Sequence, residues 1–117
     1  MADDRLMRLA VRNLAQLLSE YAASRGWSAD RYKLYFLPDA EWGQVIIIFV
    51  GPFPADDDEH EEARFQEWER IVEFLETHLH HERSLLHSYN LVLRTLEEVE
   101  EGGIYSIGPE YFEAQEL

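Results

Sequence analysis

Cysteine is absent from the chain, which excludes disulfides, thiolate metal sites and a cysteine nucleophile. The absence agrees with a reducing compartment. Long apolar runs are missing too. The longest, Val45 to Val50, is far too short to cross a bilayer, so no membrane partner is expected. The N-terminus reads Met1-Ala2-Asp3-Asp4, with acids where an export signal carries Lys or Arg, and a cytoplasmic location is expected.

Positive charge is scarce. Ten Lys and Arg stand against 24 Asp and Glu, for a net charge of −14. Such a chain repels phosphate backbones and anionic lipid at long range, so no nucleic-acid partner is expected. The imbalance is uneven. Residues 1–33 hold Arg5, Arg8, Arg12, Arg25, Arg31 and Lys33 against four acids, whereas the rest carries the other twenty acids. A basic protein partner, an apolar one, or the basic face of a second copy is favoured.

Catalytic signatures are also lacking. No serine sits in a G-x-S-x-G elbow, and Gly102-Gly103 has no Lys-Ser/Thr after it. The run Asp56-Asp57-Asp58 lacks the alternating ligands and the glycine of a calcium loop. The carboxylates Glu69, Glu73 and Glu76 share a helical face and read as a solvated surface, not as an acid–base pair in a cleft. The chain is therefore not expected to be an enzyme, and no cofactor is expected.

What is present suffices for one core. With 117 residues, 46% of them hydrophobic, residues 1–117 are expected to form a single acidic domain. Met7, Val11, Leu14, Leu18 and Tyr21 recur at helical spacing and predict a helix over 4–25, stopped at Gly26. Aromatic strand formers at 32–37 and the apolar run Gln44–Val50 predict a hairpin around a turn that contains Trp42. Phe65, Trp68, Val72, Leu75 and Leu79 predict a second helix from about Asp58 to His80. Leu85, Tyr89, Val92, Leu96 and Val99 predict a third, which either folds back on the second at His80–Arg83 as a hairpin or continues it as one rod. A short strand at Ile104–Ile107 and a helical turn at 110–114 complete the reading.

The expected fold class is α+β: a small two-layer domain in the order α-β-β-α-α, its short antiparallel sheet of two or three strands packed by helices. The expected core comprises Leu14, Leu18, Leu34, Phe36, Ile47, Phe49, Trp68, Val72, Leu75, Tyr89, Val92 and Leu96. Because Val45–Val50 is apolar on both faces, one face needs cover beyond a single helix layer. The leading functional expectation is a non-catalytic interaction, adaptor or chaperone-like protein acting as a small acidic homodimer. Its interface would draw on Arg5, Arg8 and Arg12, which share a helical face, and on Trp42, Ile46 and Ile48. One alternative is an acidic inhibitor that mimics nucleic acid in a DNA-binding protein's groove, although Arg64 and Arg70 interrupt its acidic stripe. Another is a small-ligand or metal-binding protein using His78 and His81, three residues apart on one helix face.

Overall fold

A computed structural model describes residues 4–39, 44–79 and 88–113. The described elements run α1 (Asp4–Ser24), β1 (Lys33–Asp39), β2 (Gln44–Val50), α2 (Glu61–Leu79), β3 (Ser88–Arg94) and α3 (Leu96–Glu101). The α+β class is as expected. The order is α-β-β-α-β-α, because the segment expected as a third helix is divided into a strand and a short helix.

The sheet has the strand order β1-β2-β3. β1 pairs with β2 antiparallel and β2 with β3 parallel, so the sheet is mixed, not purely antiparallel. The parallel pair requires a crossover, and α2 supplies it. This places the apolar strand β2 in the centre, with a strand paired along each of its edges. Pro38 lies within β1, paired with Val45. An outer strand tolerates proline where the missing N–H would have faced away from its neighbour. Phe36 is another outward-facing backbone position in β1, and it exchanges hydrogen bonds with Phe112 at 2.8 and 3.1 Å. The tail thus returns to β1 as an isolated bridge; the expected helical turn at 110–114 is not formed at Glu110–Phe112.

Strand alternation sorts the side chains. Leu34, Phe36, Val45, Ile47, Phe49, Tyr89, Leu91 and Leu93 face one way and join Val11, Leu14, Leu18, Ile71 and Leu75 in one core. Both long helices therefore cover this inner face. The outer face carries Lys33, Tyr35 and Leu37 from β1, Ile46, Ile48 and Val50 from β2, and Asn90, Val92 and Arg94 from β3.

α1 ends in a tightly specified turn. Gly26 has φ of 78°, its N–H bonds Ala23 O at 3.0 Å, and the Trp27 N–H bonds Ala22 O at 2.9 Å. This reciprocal pair closes the open carbonyls of the last turn. It also swings Trp27 into an aromatic group with Tyr21, Phe49 and Phe53, at ring separations of 6.2, 6.1 and 5.5 Å. Gly26→Ala places a Cβ in a conformation that side chains avoid and is expected to cost about 1 kcal/mol. Urea denaturation would show this as a lower midpoint at unchanged slope.

α2 is rotated from its expected facing. Glu67, Ile71, Leu75 and Leu79 are buried, whereas Phe65 and Trp68 are 48% and 37% exposed. Val72 is only half-buried. Leu96, expected in the core, is 41% exposed at the start of α3. Thr95 caps α3 by accepting from Glu98 N, while the Glu98 carboxylate accepts from Thr95 N. The expected strand at Ile104–Ile107 is replaced by a 3-10 turn over Gly103–Tyr105. Positive φ at Gly102 and Gly103 bends the chain there and leaves Ile104 86% exposed.

Candidate functional site

In open sheets, ligands favour the crevice outside the carboxyl ends of parallel strands. Here that end belongs to β2 and β3, and an ion pair occupies it. Arg64, from the first turn of α2, donates to both Glu98 oxygens at 3.0 and 3.3 Å, to Pro54 O at 2.6 Å, and to Leu93 O. Glu98 also accepts from Asp56 N at 3.2 Å. The two side chains are only 12% and 10% exposed, so the loop after β2, the start of α2 and the cap of α3 meet on one pair of charges. Beside it, the Tyr105 hydroxyl donates to Asp56 Oδ2 at 2.9 Å, and this hydrogen bond raises the pKa of the phenol. The Arg94 guanidinium lies 5.0 Å from the Tyr105 ring centroid.

A second buried network joins the helices. Arg25 Nη1 donates to Glu67 Oε1 and Oε2 at 2.6 and 2.8 Å and to the Tyr21 hydroxyl at 2.9 Å. The Tyr21 hydroxyl donates to Glu67 Oε2 at 3.3 Å. Burial raises the pKa of Tyr21, partly opposed by the Arg25 hydrogen bond, and the Glu67 hydrogen bond raises that of Arg25. Among the described residues, no buried side-chain nitrogen or oxygen lacks a hydrogen-bond partner. Both networks are internally satisfied and read as structural clamps. The Glu67 clamp left a trace in the sequence: Glu67 precedes Ile71, Leu75 and Leu79 in steps of four, an acid on an apolar stripe.

The sequence-derived candidates are dispersed. Arg5 lies in the first turn of α1; Arg8 and Arg12 are exposed further along it. Ile46 and Ile48 face outward from the central strand, Ile46 half-buried and Ile48 buried. Trp42 and His81 lie outside the described residues. His78 is exposed in the last turn of α2, its Nδ1 2.8 Å from Phe74 O and its ring 4.2 Å from that of Phe74. Among the described residues, no three His, Asp or Glu side chains are grouped to hold a metal ion. No described helix is long and apolar enough to cross a membrane.

Two surfaces expose apolar side chains among the described residues. One is the outer sheet face, where Tyr35, Leu37, Ile46 and Val92 are half-buried around Ile48. The second is the outward side of α2, where Phe65 meets Trp68 edge-on at 5.9 Å and the Trp68 indole N–H donates to Leu91 O at 2.9 Å. Comparison with known proteins gave no matching family model, no matching curated protein and no matching solved structure.

Proposed function

We propose that the chain is a non-catalytic protein-interaction module that pairs with a second copy of itself through the outer face of its sheet. The observation that carries this reading is the distribution of charge. In a chain with 24 acids, the outer-face positions of the three strands hold one, Asp39 at the end of β1; Lys33 and Arg94 stand at the opposite end of the sheet. Two such faces can meet without the repulsion that the α2 surface would impose. A two-fold contact needs a patch that complements itself, and a flat apolar strand face with few charges meets that need.

Three seven-residue strands present a plan area of about 300 Å². Stable interfaces bury about 800 Å² per partner, so the face alone makes a small contact, and a weak pair that dissociates on dilution is expected.

Light scattering across a dilution series tests the reading. The expected mass at high concentration is twice the 13.8 kDa of the chain. Raising the salt is expected to tighten the pair, because two copies of net charge −14 repel and salt screens them. A dimer held by the Arg5, Arg8 and Arg12 face would loosen instead. Ile46→Lys is the variant of choice, since Ile48 is already buried in the single chain and its loss would also disturb the fold. The substitution is expected to leave a folded monomer. A wild-type monomer at every concentration, or an Ile46→Lys dimer, would refute the proposal.

A further inference from the structure

The outward side of α2 combines an exposed aromatic pair with unbalanced negative charge. An open depression of about 490 Å³ is lined by Asp58, Glu61, Glu62, Phe65, Gln66 and Glu69, with no Lys, Arg or His among them. Phe65 is the most exposed aromatic of the core-forming helices, at 48%. Its ring is held edge-on by Trp68, whose own position is fixed by the hydrogen bond to Leu91 O. An aromatic anchor with a locked neighbour loses little side-chain entropy on binding.

The arginines that interrupt the acidic stripe in the sequence do not neutralise this surface. Arg64 is turned inward and is consumed by Glu98, at 12% exposure. Arg70 stands 3.6 Å from Glu67, outside the depression. The surface therefore offers an apolar contact in the middle and carboxylates around it.

From this we infer that the outward side of α2 is a docking site for a cationic segment of another protein, one that places an apolar side chain on Phe65 and Lys or Arg side chains on Glu61, Glu62 and Glu69. Charge complementarity favours the occupant: a basic segment gains at every rim position, whereas a second copy can offer only the Arg5, Arg8 and Arg12 face of its first helix and brings a net charge of −14 with it. Phe65 and Gln66 also break the run of carboxylates at its centre, so the surface fits a basic amphipathic segment better than it copies an uninterrupted phosphate backbone. The inference is independent of the sheet-face pairing, since every residue that lines the depression comes from α2 or the turn before it and none from a strand.

Fluorescence anisotropy of a labelled synthetic peptide, Lys-rich with one leucine, tests it on the full chain. Saturable binding is expected. Phe65→Ala is expected to weaken it about tenfold or more, as central aromatic anchors do. The charge reversal Glu61→Lys with Glu62→Lys is expected to abolish it. Glu100→Gln with Glu101→Gln, on exposed acids of α3, is expected to change it by less than about twofold. Circular dichroism of each variant confirms the fold, and Phe65→Leu, which retains an apolar anchor, is expected to bind better than Phe65→Ala. The inference fails if the peptide does not bind. It also fails if a peptide with serine in place of leucine binds equally well, or if the α3 variant loses as much affinity as Phe65→Ala. The last two results would mean that only bulk charge is being read.

Discussion

Phe49→Ala is expected to lower stability by about 3–5 kcal/mol, a large part of the roughly 5–15 kcal/mol that holds a domain of this size together. Phe49 is fully buried on the central strand. Its ring meets Phe53 at 5.1 Å, Tyr32 at 6.0 Å and Trp27 at 6.1 Å, each nearly edge-on. Leu34 and Leu93 are its neighbours across the two strand pairs. Removing the ring takes contacts from every one of these groups, and the flanking strands cannot close the gap without shifting register. Urea denaturation followed by far-UV circular dichroism is the measurement. With a slope of about 1–3 kcal/mol per molar urea, the midpoint should fall by at least about 1 M. A fall of only a few tenths would mean that the aromatic group packs loosely.

The second large effect is expected at Arg64. Arg64→Ala leaves the Glu98 carboxylate buried with its counter-ion gone, and breaking a buried pair from one side costs about 3–5 kcal/mol. It also strips hydrogen bonds from Pro54 O and Leu93 O. Replacing both partners by apolar groups, Arg64→Met with Glu98→Leu, is expected to cost less than Arg64→Ala alone. Both charges then disappear together; the bonds to Pro54 O and Leu93 O are lost in either variant, and the double one adds the loss of the bonds that the Glu98 carboxylate accepts from Thr95 N and Asp56 N, while Thr95 still caps the backbone N–H of residue 98. If the double variant is as unstable as the sum of the two single ones, the pair is not coupled and the clamp described above is wrong.

The parts of the fold legible in the sequence are those where one local signal dominates. α1 was readable because its apolar period and Gly26 agree. The β1–β2 hairpin was readable because Val45–Val50 permits little else. β3 departs from the expected helix for a physical reason. Tyr89, Leu91 and Leu93 alternate as a strand, yet Leu85, Tyr89, Val92, Leu96 and Val99 also fit a helix, and a short apolar run does not discriminate between the two. Pairing with β2 decides it, and that pairing is set by the tertiary structure. One local signal was available: Thr95-Leu96-Glu97-Glu98 has capping-box spacing, and a helix that starts at Leu96 cannot contain Val92. For α2, Phe65 and Trp68 suggested a wider buried face than two helices on a three-stranded sheet can provide. The buried positions were marked instead by Ile71, Leu75 and Leu79. Of the candidate contact residues, Ile46 and Ile48 followed from strand alternation alone. The inward turn of Arg64 depends on Glu98, 34 positions away, and no local pattern encodes it.

The hydrogen bonds from Trp68 to Leu91 O and from Arg64 to Leu93 O have a consequence for crowded or heat-stressed solutions. An unprotected outermost strand is a template onto which another chain can add, and repeated addition ends in fibrils. In this molecule two outward carbonyls of β3 are already engaged by α2, and Phe112 occupies the middle of β1 on the other flank. An incoming strand would have to displace an indole and a guanidinium before gaining its first bonds. The sheet is thus protected from lengthwise polymerisation by the same helix whose charge keeps the molecules apart.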